Sequence, residues 1–111
     1  MIFVLADDRM LHVLSTEEES QGQFEGVDVE EGLYRFFDQS GNPLFAEFTK
    51  SNKRGKIFGL LPWVESGRYR LVSAKSMDLP RLLDLWSEIA GLETNAHFSG
   101  LEEVRSFLVS Q

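Results

Sequence analysis

From Leu79 onward the apolar residues recur at helical spacing. Leu79, Leu82, Leu83, Trp86, Ile89 and Ala90 share one side, with Arg81, Asp84, Ser87 and Glu88 opposite. Asp78 stands where a cap is needed, Pro80 suits a first turn, and Gly91 can end the helix. A second helix comes after it. Ser99 and Glu102 have capping-box spacing, and Leu101, Val104, Phe107 and Leu108 form an apolar stripe. Ahead of Lys75 the pattern is that of short strands. Ile2–Leu5 and Met10–Leu14 flank Ala6-Asp7-Asp8-Arg9, as a hairpin or one bent strand.

The segment STEEESQGQFEG predicts a short helix from Thr16 to Phe24, ending near Gly26. Thr16 with Glu19, or Ser15 with Glu18, supplies the capping-box spacing, and three glutamates suit the positive end of the helix dipole. Next comes a β-hairpin: LYRFFD (33–38) and LFAEFT (44–49) are strands, and DQSGNP between them is rich in turn formers. Lys50–Lys56 reads as a basic turn. Ile57–Val64 reads as a strand, with Gly59 and Pro62 marking an edge or bulge. Glu65-Ser66-Gly67 is a turn, and RYRLVSA (68–74) is a strand with Tyr69, Leu71 and Ser73 on one face. The expected class is α+β: an antiparallel sheet of four to five strands, a short N-terminal helix, and two C-terminal helices packed on one face.

The chain has 111 residues, enough for a single domain spanning 1–111. It contains no cysteine, which excludes disulfides, thiolate metal sites and a cysteine nucleophile. The opening apolar run is too short for a secretory signal, and no stretch approaches a membrane span, so a cytoplasmic location is expected. Charge is unevenly spread. Residues 1–49 carry eleven acids against Arg9 and Arg35, a balance of −9, whereas KSNKRGK (50–56) carries +4. An acidic front half repels phosphate backbones, so no nucleic acid is expected as partner.

Motif chemistry is sparse. HExxH, GxGxxG, GxSxG and the P-loop pattern do not occur. His12 lies in an apolar run and His97 in a polar loop, both positions where histidine is ordinarily structural. An EF-hand register beginning at Asp28 fails, because its fifth, sixth and twelfth positions are Gly32, Leu33 and Gln39. Nothing in the pattern marks a cleft in which two carboxylates could work as an acid/base pair. No cofactor, no metal and no catalytic residue is expected.

What stands out is Glu25–Leu44, EGVDVEEGLYRFFDQSGNPL, where five carboxylates sit among aromatics with one arginine. Asp28, Glu30 and Glu31 fall in a connection expected to be exposed, and Asp38 can close its strand with an Asx turn. Phe36 and Phe37 must point to opposite faces. Either both are packed in a two-sided strand, or one is an exposed anchor with an acidic rim. Asp28, Glu30, Glu31, Phe36, Phe37 and Asp38 are therefore the candidate partner-binding residues.

The FFDQSGNPL run, the basic turn and SGRYRL resemble segments of small uncharacterised bacterial proteins. In size, acidity and lack of cysteine the chain is similar in general character to immunity proteins of interbacterial toxin systems. That resemblance implies a non-enzymatic module that occludes a basic protein partner such as a toxin effector. The alternative is a self-associating structural or regulatory domain. For the metal question, calorimetric titration with Ca²⁺ or Mg²⁺ is expected to show no one-to-one micromolar binding. Such binding, lost in Asp28→Asn, would contradict the reading.

Overall fold

A computed structural model describes residues 1–57, 59, 61–74 and 78–111. Six strands form one sheet: β1 (Ile2–Ala6), β2 (Met10–Leu14), β3 (Tyr34–Phe37), β4 (Pro43–Lys50), β7 (Arg68–Ser73) and the two-residue β8 (Gly91–Leu92). Their spatial order is β7-β4-β3-β1-β2-β8. All neighbours are antiparallel except β8, which runs parallel to β2. Strands β5 (Lys53–Ile57) and β6 (Leu61–Glu65) pair separately as a two-stranded ribbon.

The sheet is buried on both faces, as the uninterrupted apolar run of β1 requires. Phe3, Leu5, Leu11, Val13 and Phe37 meet Leu82 and Leu85 of a 3-10 helix (Leu82–Glu88) and Val104 and Leu108 of the C-terminal helix (Leu101–Val109). Val4, Leu14, Phe36 and Tyr69 meet Phe24 and Val29 on the other face. These come from the end of α1 (Glu17–Gln23) and from α2 (Gly26–Glu30), so the C-terminal helix is α3. The class is α+β, but helices cover both faces rather than one.

Several local expectations are met. Asp38 makes the Asx turn, its Oδ1 accepting from the amides of Ser40 at 2.9 Å and Asn42 at 3.0 Å. Gly41 takes φ +81°, and a side chain there would press on Leu108 at 3.2 Å, so both backbone and packing demand glycine. Val104 and Leu108 are buried, with Leu101 and Phe107 packed beside them. The amide and hydroxyl of Ser99 donate to Glu103 rather than Glu102.

Three expectations are corrected. The segment of Asp28, Glu30 and Glu31 is not a mere connection, because Val27 and Val29 between the acids are buried and wind it into α2. The stripe from Leu79 does not form one α-helix. Asp78 takes φ +49°, Leu79 is exposed, and only Leu82–Glu88 is helical, as a tighter 3-10 turn. Sheet pairing claims the residues after it: Ala90 N–H donates to Arg9 O and Glu93 N–H to Leu11 O, which draws the chain out into β8. Finally, the basic segment is strand rather than turn, and the reversal lies at Gly59, φ +70°, inside the span read as the strand Ile57–Val64. Phe58 and Leu60 of that span lie outside the described residues.

The outer edge of β7 is closed by α1. Gln21 Nε2 donates to Tyr69 O, and Leu71 N–H donates to Glu17 Oε1. Beneath this edge the Tyr69 phenol is buried and hydrogen-bonded to the Ser20 hydroxyl at 2.7 Å, the Ser20 carbonyl at 3.1 Å and the Phe24 carbonyl at 3.0 Å. Carbonyls only accept, so they take the phenol proton and the Ser20 hydroxyl donates to the phenol oxygen.

Leu108→Ala is expected to cost about 2–5 kcal/mol, a large share of the roughly 5–15 kcal/mol available to such a domain. It should lower the melting temperature by many degrees, and unchanged melting would refute the packing of α3. A second expectation concerns alkaline pH. Burial pushes the Tyr69 phenol above its ordinary value of 10.0, with the Ser20 hydrogen bond opposing. A raised folded-state pKa favours the protonated native form, so this contribution is complete below about pH 10 and is lost as pH rises through the folded value. Denaturant titrations should show a smaller alkaline loss of stability in Tyr69→Phe than in the parent. Equal losses would contradict the assignment.

Candidate functional site

The acidic strip lies beside a cleft that the sequence pattern does not announce. Strands β3 and β4 pair only at Phe36–Leu44 and Phe37–Pro43, then separate. Beyond that point β3 stays with β1 as far as Tyr34–Ala6, while β4 stays with β7 as far as Lys50–Arg68. The gap is a cavity of about 590 Å³, within the usual range for small-ligand pockets. Val29 and Glu30 of α2 contribute on one side of the sheet, and Leu79, Pro80 and Leu85 on the other. Between them lie Tyr34, Arg35, Phe45, Ala46 and Phe48 along the diverging strands.

Hydrogen-bond alternation shows what those strands present. In an antiparallel ladder, successive residues direct their N–H and C=O groups to opposite sides. On β7, Tyr69 and Leu71 direct theirs outward to α1, as the contacts to Gln21 and Glu17 require. Their cross-strand partners on β4 are Phe48 and Ala46. In such non-hydrogen-bonded pairs the two backbones point away from each other, so Ala46 and Phe48 direct theirs toward β3. On β3, Leu33 O accepts from Asp7 N–H on the β1 side, so Tyr34 faces the cleft. Among the described residues, Tyr34, Ala46 and Phe48 therefore turn ladder groups toward the cleft where β3 and β4 are no longer paired.

The candidate residues are distributed unevenly around this cleft. Phe36 and Phe37 are both buried, at 4% and 2% exposure, which rules out the exposed-anchor alternative and leaves the two-sided strand. Asp38 is engaged in its turn. Glu30 and Glu31 are gripped by the chain's own basic segment: Arg54 lies 3.7 Å from Glu30 and 3.2 Å from Glu31, and Asn52 Nδ2 donates to Glu30 at 2.6 Å. Asp28 makes no ion pair among the described residues. Tyr34 packs on Phe24, ring centroids 4.4 Å apart. Its phenol is raised above 10.0 by burial first, then by Asp28, Asp7, Asp8 and Glu25. The field in this part of the cleft is thus negative, and Tyr34 is a neutral donor at ordinary pH.

The sequence reading also missed the ribbon. Trp63 stands directly opposite Gly55, and a Cβ at Gly55 would lie 2.5 Å from the indole Nε1. The ring therefore lies over the glycine and keeps 38% exposure, while Val64 beside it keeps 55%. The ribbon's base is held by Asn52, which donates to Gly26 O at 3.1 Å and accepts from Gly67 N–H at 2.7 Å. A side chain at Gly67 would come within 1.9 Å of Lys50 O, so the two chain segments approach there as only glycine permits. The two runs read as strands, LYRFFD and LFAEFT, are of equal length, so the sequence carried no signal that their pairing stops after two residue pairs.

Chemically the cleft suits binding. It has apolar walls, a phenol donor, unpaired backbone groups and, among the described residues lining it, one carboxylate and one guanidinium, Arg35, which lies 3.7 Å from Glu88. Among the described residues no three His, Cys, Asp or Glu side chains gather as a metal site, and no helix is long and apolar enough to cross a membrane. His97 Nε2 meets the Ser15 hydroxyl at 2.7 Å on the exposed surface, joining the end of β2 to the loop before α3. Compared with known proteins, the chain matches no family model, no curated protein and no solved structure.

Proposed function

We propose that this chain is a non-enzymatic protein-binding module that takes an apolar, basic-flanked segment of a partner into the β3–β4 cleft. The concrete form is a cytoplasmic immunity protein that occludes a cognate toxin. The observation that carries the reading is the parted sheet. An extended segment could pair with the groups of Tyr34, Ala46 and Phe48 while burying its side chains against Val29, Phe45 and Leu79. The acidic balance of residues 1–49 supports a basic partner by steering encounter. Within the strip, Glu30 and Glu31 are already engaged with Arg54, which leaves Asp28 as the acid that bears most on association.

The partner would be recovered by pull-down from native lysate and its binding kinetics measured at two salt concentrations. Asp28→Asn should slow association severalfold at low salt and matter little near about 0.5 M, where screening falls to a few ångströms. Ala46→Leu, which extends a side chain into the cleft, should speed dissociation with association nearly unchanged. A partner bound equally by parent and Ala46→Leu would refute the cleft as the site.

A further inference from the structure

We infer that the β5–β6 ribbon is a self-association arm, with Trp63 of each copy seated in the β3–β4 cleft of a second copy. The inference uses the cleft described above but needs no foreign partner, and such a partner would compete with it.

The ribbon is built as a projection. It continues the β4–β7 pair past the last sheet pairing and, among the described residues, pairs with no third strand. The molecule measures 54 × 30 × 23 Å, with a radius of gyration of 15.4 Å. A compact domain of this length has about 13 Å, and an arm produces that excess. The base is held by Asn52, Gly67 and the Arg54 contacts, so the arm presents its residues from a defined position. Trp63 is already fixed over Gly55, and little side-chain freedom remains to be lost on docking.

Charge selects the occupant. Residues 50–56 carry +4 on a chain whose first 49 residues carry −9, although Lys50 is paired with Glu65, and Arg54 with Glu30 and Glu31. Lys53 and Lys56 on the arm enter no ion pair among the described residues. The wall holding Tyr34 lies in the field of Asp28, Asp7, Asp8 and Glu25. One molecule therefore offers an exposed indole on an arm that also carries Lys53 and Lys56, and an apolar cavity whose Tyr34 wall lies in the field of nearby acids, so the arm's positive charge complements that wall. Reciprocal seating closes the assembly as a two-fold dimer and buries both apolar features twice.

Sedimentation of the purified protein at low salt should show a monomer–dimer equilibrium that weakens as salt rises. Trp63→Ala should weaken it at least about 30-fold, as truncation of a central interface tryptophan does. Ala46→Leu, with the cleft filled, should do likewise. Mixing the two variants should restore dimer, because the intact arm of one fits the open cleft of the other. In a Trp86→Phe background Trp63 is the sole indole, and its emission should shift to the blue as concentration rises. A parent that stays monomeric at every concentration would overturn the inference. So would a dimer that survives both substitutions, or variants that fail to complement each other while keeping parental circular dichroism. The foreign-partner reading is judged separately, since it depends on pull-down and not on sedimentation.

Discussion

Two adjacent rings, Phe36 and Phe37, set the architecture. A strand sends neighbouring side chains to opposite faces, and both of these are buried. Such a strand needs a covering layer above and another below. The C-terminal 3-10 helix and α3 provide one, α1 and α2 the other. Once β3 is central, β1 beside it must be apolar on both faces, and IFVLA meets that requirement. The acidic sequence before β3 then has little choice of position. Its valines must enter the second layer, so its carboxylates stand at the margin of the sheet.

That margin is where the sheet parts. β3 is committed to β1 and β4 to β7, and two residue pairs join the halves. Strands that follow different neighbours carry different twists, and their separation opens backbone as well as side chains. A gap of this kind offers a partner both hydrogen-bond direction and apolar surface. By contrast the outer edge of β7 is closed, with Glu17 and Gln21 of α1 meeting its outward groups. One potential pairing edge is covered and another is left facing a cavity.

Charge along the chain is reorganised by folding rather than displayed as it is written. Arg54 reaches back across the ribbon's base to Glu30 and Glu31, so the basic segment answers part of the acidic strip internally. These groups are about half exposed, and such pairs contribute at most about 1 kcal/mol each. They orient the arm more than they stabilise the fold. Among the described residues Asp28, Lys53 and Lys56 enter no ion pair, and Trp63 keeps 38% exposure.

Much of the local structure was legible because it depends on short-range chemistry. The Asp38–Gly41 turn, the α3 stripe, the short helix before Phe24 and the strand faces of Tyr69 and Leu71 all arise from period and turn residues, although neither α1 nor α3 receives the side-chain cap that its sequence offered. Other features were decided by contacts distant in sequence. Gly55 looked like a turn glycine, but it lies within β5 beneath Trp63, and the reversal is at Gly59. The Leu79–Ala90 stripe looked continuously helical, but pairing with Arg9 and Leu11 draws its end into the sheet. Side-chain pattern reports which residues are buried, but strand neighbours depend on the whole sheet. The cleft exists only because β3 and β4 choose different neighbours. The residue pattern alone supplies the aromatic and acidic materials of the site, and long-range strand pairing is what sets them at the border of a gap.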